Sequence, residues 1–167
     1  MSTWLRLTLI TMTVGGGFSG LAVMIQYAIQ SPRQQTLSLL LTMLLLTLYA
    51  FVTAAGLVFA QSPRRTLLLF GALLIQVPWL SSSMLVYKFA AGAGAFIGAK
   101  YPSGAGGPTA TYEYSVGTSS TVAMLQGNGD PFIVGVNLWA IVLLILLWRS
   151  AWTPAVEIPS VSEFHSG

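Results

Sequence analysis

Residues 66–87 read TLLLFGALLIQVPWLSSSMLVY and are followed at once by KFAAGAGAFIGA over 88–99. The first stretch carries no charge. A helix of that length, at ~1.5 Å per residue, crosses the ~30 Å of bilayer hydrocarbon. Reading it as a membrane span decides the fold, because three further apolar runs occupy about 5–27, 36–60 and 132–149. None of the four contains an acidic residue. The expected fold class is therefore an all-α integral membrane protein: a four-helix transmembrane bundle over residues 1–153, with both termini on one side.

The outer end of the third span is open. The small-residue tract 89–99 can prolong that helix, lie in the membrane interface, or dip back as a re-entrant segment whose backbone is covered by protein or water. Lys88, just before it, is expected to snorkel outward from the end of the span.

Composition supports a membrane setting. Of 167 residues, 54% are hydrophobic and 7% charged, against roughly a quarter charged in soluble domains. Mean hydropathy is +0.76. The seven Lys and Arg are scattered rather than clustered, so no nucleic-acid surface follows. The absence of cysteine excludes disulfides, thiol chemistry and Cys-ligated metal centres.

The short connections after the first two spans share one form, Gln30-Ser31-Pro32-Arg33 and Gln61-Ser62-Pro63-Arg64. Each offers Ser as N-cap and Pro as first helical residue, which is read as shared capping chemistry rather than duplication. Gly127-Asn128-Gly129-Asp130-Pro131 is expected to start the fourth helix with Asp130 as its cap. Trp148 and Trp152 flank Arg149 at its far end, as at a headgroup boundary.

Lys and Arg near span ends set orientation. One side holds Arg6, Arg64, Arg65 and Arg149; the other holds Arg33, Lys88 and Lys100. Both termini, including a disordered tail over 154–167 with His165, are accordingly expected in the cytoplasm, the chain lying in a plasma or inner membrane. A competing reading takes the first apolar run as a cleaved signal, but it extends to Tyr27 without a clear small-x-small cleavage site.

The external segment, about 88–131, is expected to contain a β-hairpin. Tyr112, Tyr114 and Val116 alternate with Thr111, Glu113 and Ser115, Gly117-Thr118-Ser119-Ser120 supplies a turn, and 121–125 returns. An isolated hairpin is marginal in water, so its apolar face needs a helix end, the membrane surface or a partner.

No catalytic constellation emerges: there is no His pair for a metal, no Cys nucleophile and no paired carboxylates at helical spacing. No cofactor, metal site or catalytic residue is expected. Two sets of residues remain. Gly15, Gly16, Ser19, Gly20, Gly56, Gly94 and Gly98 fit small-residue helix packing. Gln26, Gln76, Ser83, Tyr87, Lys88 and Asn137 form a candidate polar cluster in the outer half of the bilayer, with Pro78 as a possible kink beside Gln76.

The leading expectation is a non-enzymatic accessory subunit in the lipid bilayer. It would bind other membrane proteins, or itself, through small-residue helix faces and the external loop. The alternative is a small oligomeric transporter or channel using the polar cluster; an intramembrane enzyme ranks third.

Overall fold

The computed structural model describes residues 2–30, 36–102, 106–124 and 132–152. The first helix begins on Ser2, whose Oγ accepts the Leu5 N–H at 3.3 Å. It runs as α1 (Thr3–Ile10), a π turn (Thr11–Gly15) and α2 (Gly16–Gln30) without a break. A second long helix, α3 (Thr36–Gln61), follows. These two, of 28 and 26 residues, are long and apolar enough to cross a membrane by length and composition.

The third run departs from the expected span. Helix α4 covers only Thr66–Leu74, and the chain leaves it in a tightened turn, Gln76 N–H to Leu73 at 3.0 Å and Val77 N–H to Leu74 at 3.1 Å. Pro78 then opens a strand, β1 (Pro78–Ser81). The proline lacks an N–H and disfavours helical backbone at Val77, so the helix stops here rather than kinking. Ser82 folds the chain back, its Oγ accepting the N–H groups of Met84 at 3.3 Å and Leu85 at 3.0 Å.

Where the sequence predicts the outer part of the third span, a small external loop and the start of the fourth span, the chain forms a six-stranded antiparallel sheet. After β1 come β2 (Leu85–Ala90), β3 (Ala93–Tyr101), β4 (Thr109–Val116), β5 (Ser119–Met124) and β6 (Phe132–Asn137), in the order β4-β3-β6-β1-β2-β5. The tract 89–99 is thus strand, neither helical extension nor re-entrant helix, and Gly94 and Gly98 pack sheet rather than helices. The expected strands around Gly117 exist, but they do not pair with each other: β4 pairs with β3 and β5 with β2. The fourth expected span is divided as well. Phe132–Asn137 is strand, and only α5 (Leu138–Trp152) is helix. Asp130 lies outside the described residues; the cap of α5 is Asn137.

The sheet is curled. Lys88 on β2 and Glu113 on β4 form an ion pair although three strands lie between theirs, a separation of about 19 Å in a flat sheet at ~4.8 Å per strand. Its concave face buries Trp79, Ala90 and Phe96. Part of its convex face packs on the helices, where Phe89 and Val122 meet a core of Leu45, Tyr49 and Val52. A second core, of Leu9, Phe59, Leu69, Leu73, Leu143 and Leu147, joins α1, α3, α4 and α5 at the opposite end.

The sheet's tip is wedged into the bundle. Gly92, at φ +91°, lies against Met12 of the π turn, and a Cβ on Gly16 would overlap the Gly92 backbone. Gly17 and Gly20 meet Thr53 and Tyr49 of α3 just as closely, and Gly56 meets Thr13. These small residues close contacts inside the chain. A Cβ on Gly15 would meet none of the described residues within 4 Å, and Ser19 is exposed, its Oγ donating to the Gly15 carbonyl at 2.8 Å.

Candidate functional site

The residues expected as one polar cluster divide into three groups. Gln76, Tyr87 and Asn137 sit where helix changes to strand. Gln76 is 2% exposed; its Nε2 donates to the Ala72 carbonyl at 2.8 Å, and its Oε1 accepts the Ala91 N–H at 2.8 Å. The Tyr87 hydroxyl donates to the Ile75 carbonyl at 2.6 Å. The Asn137 Oδ1 accepts from Ala95 at 3.1 Å, Trp139 at 3.1 Å and Ala140 at 3.4 Å, so it caps α5 and ties that helix to β3. These groups answer the backbone amides and carbonyls left over where a ladder meets a helix end.

Lys88 belongs to the inside of the curled sheet. Its side chain is 13% exposed, its ammonium is paired with Glu113, and it stands 5.6 Å from the Phe96 ring centroid. The expected outward snorkelling does not occur, because the alternation of β2 turns Lys88 to the concave face while Tyr87 and Phe89 face the helices. Gln26 and Ser83 are exposed and take no part in either group.

A third arrangement was only half legible from sequence. On the convex side of β4, β3 and β6, the register brings Tyr112, Tyr114 and Val116 beside Ile97, Tyr101, Val134 and Phe132. Tyr112, Tyr114 and Val116 are 83%, 81% and 92% exposed, and the other four are exposed as well. Among the described residues no charged side chain shares this face, since Glu113 and Lys100 alternate to the other. The alternation on β4 was readable, but its union with β3 and β6 depends on pairings between distant segments.

Between α2, α3 and β5 there is an open cavity of about 410 Å³, lined by Met24, Tyr27, Leu41, Thr42, Leu45 and Val122 among others. Among the described residues, no three His, Cys, Asp or Glu side chains cluster as a metal site would need. Compared with known protein families, with curated proteins and with solved structures, the chain matches none.

Proposed function

We infer that this chain is a membrane-embedded, non-catalytic accessory subunit that binds other membrane proteins through the exposed flank of its curled sheet. The observation that carries this reading is the unbroken apolar face of Ile97, Tyr101, Tyr112, Tyr114, Val116, Phe132 and Val134. Large exposed apolar patches mark contact with membrane or with other proteins, and tyrosines are enriched in protein interfaces.

Membrane embedding is supported by the two long apolar helices and by the placement of arginine. The Arg6 guanidinium donates to the Ala60 carbonyl at 2.8 Å, which sets it beside the Arg64 and Arg65 turn. Helix α5 runs back along α4, bringing Arg149 to that same end. An arginine-rich end fits the cytoplasmic face, with both ends of the described chain there.

Of the small residues that also suggested partner binding, Gly16, Gly20 and Gly56 are used in contacts within the chain, and Gly15 and Ser19 alone remain exposed on the first helix, so docking passes to the sheet. The residues a transport pathway would use point the same way. Gln76, Tyr87 and Asn137 are engaged in intrachain hydrogen bonds, which favours docking over transport.

The test is purification of the full chain from its own membranes in mild detergent, followed by native mass spectrometry. Recovery in a fixed ratio with another membrane protein, lost in the Tyr112→Lys/Tyr114→Lys double variant, is the expected outcome. A wild-type chain recovered alone would sink the reading.

A further inference from the structure

The sheet has two terminal strands, and they are treated differently. Val122 of β5 is packed on the α3 core, and Ser120, Thr121 and Val122 face α3 residues across the cavity. Among the described residues strand β4 has one ladder partner, β3, and its other edge, joined to β5 only through Gly117 and Thr118, carries no ladder bonds along its eight residues. Natural proteins blunt such edges with lysine, proline, bulges or inward-pointing charge. Strand β4 has a regular register without a bulge, no Pro and no Lys; its one charge, Glu113, points into the curl and is neutralised there by Lys88.

Depth makes the open edge consequential. Val116 pairs with Ala93, next to Gly92, which abuts Met12 and Gly16. Gly16 is ten residues above Arg6, or about 15 Å along the helix at ~1.5 Å per residue. Strand β5 lies alongside α3, so the sheet rises with the helices, and Tyr112 stands about 14 Å above Val116 at ~3.4 Å per residue. In a hydrocarbon layer of about 30 Å measured from the arginines, the lower half of β4 lies within the bilayer. Lipid can cover apolar side chains there, but it cannot hydrogen-bond an open strand edge.

We propose that β4 is an assembly edge, to which an extended segment of another membrane polypeptide adds as a further strand, with Tyr112, Tyr114 and Val116 packed against that partner. This rests on the membrane-subunit reading above and names its contact. A second copy of this chain fits poorly. Copies inserted in the same direction are related by an axis along the membrane normal, which sets the same β4 residues facing each other at the same height. A parallel ladder instead needs inward-facing residues of one strand level with outward-facing residues of the other.

The experiment places a photo-reactive benzoylphenylalanine at position 112, 114 or 116 of the full chain in its own membranes and sequences the crosslinked peptides. Phe18, exposed on α2, serves as the lipid-facing control position. The expected result is attachment to one short segment of one foreign membrane polypeptide, the attachment point moving by two residues each time the probe moves by two. In the Tyr112→Lys/Tyr114→Lys background, adduct formation from position 116 should fall about tenfold, a loss typical of disrupting an interface anchor. The melting temperature of the isolated chain should not change. Adducts with lipid alone, adducts with a second copy of this chain, attachment without register, or no adduct would each overturn the proposal. If a partner co-purifies but attachment lacks register, strand addition falls and the subunit reading stands.

Discussion

The side-chain oxygen of Gln76 accepts the backbone N–H of Ala91 at 2.8 Å, joining the end of α4 to the tip of the sheet. The same amide donates to Ala72, so one buried side chain serves a helix carbonyl and a sheet-tip amide together. Replacing it with Leu keeps the volume and orphans both backbone groups. Gln76→Leu should destabilise the chain by about 2–4 kcal/mol, since each unsatisfied buried group costs roughly 1–3 kcal/mol. Thermal unfolding in detergent measures this; an unchanged midpoint would show that the junction does not depend on Gln76.

Asn137 holds the second junction. Asn137→Ala removes the cap of α5 and the acceptor for Ala95, and a loss of about 2 kcal/mol is expected, at the upper end for cap deletions because the site is buried. Hydrogen exchange should show the first turn of α5 and the Ala95 amide opening together. Exchange confined to α5 would disconnect the helix from β3.

Neighbouring glycines should behave in opposite ways. Gly16→Ala drives a methyl into the Gly92 backbone, and overpacking of this kind costs about 1–3 kcal/mol. Gly15→Ala meets nothing within 4 Å and removes helix-interior glycine, so it should be neutral or stabilising by up to about 1 kcal/mol. Equal effects in a melting experiment would mean that the sheet tip does not sit against α2.

The ion pair inside the curl joins strands β2 and β4. A double-mutant cycle of Lys88→Met and Glu113→Gln should give a coupling near 1 kcal/mol, at the top of the range for exposed pairs, because Lys88 is largely shielded while Glu113 is not. Raising the salt concentration should reduce it only in part. A coupling of zero would argue that hydrogen bonding along the sheet, rather than this pair, maintains the curl.

Much of this was readable from residue order. The two long apolar helices and the alternation Tyr112, Tyr114, Val116 follow from short-range pattern. The third run shows where that reading stops. Over 66–87, hydropathy is equally satisfied by a membrane helix and by a short helix followed by buried strands, and periodicity does not separate them. Pro78 within an apolar run predicts a kink, yet it ends α4, because β2 and β6 are present on either side to pair with β1. The same holds for Lys88: at a helix end it would turn outward, whereas the alternation of β2 turns it into the curl.

By itself, the sequence determined that this chain is strongly apolar, poor in charge, without cysteine, and provided with two runs that form long helices. Those properties depend on composition and on spacings within one segment. Tertiary structure alone decided that residues 78–137 contribute a curled six-stranded sheet, that Gln76 and Asn137 join strand to helix, and that β4 stands at the sheet's end with one ladder partner among the described residues. The physical reason is that a strand is completed by neighbours distant in the chain. Whether a polar side chain lines a path or satisfies a backbone group depends on which of those neighbours arrives beside it.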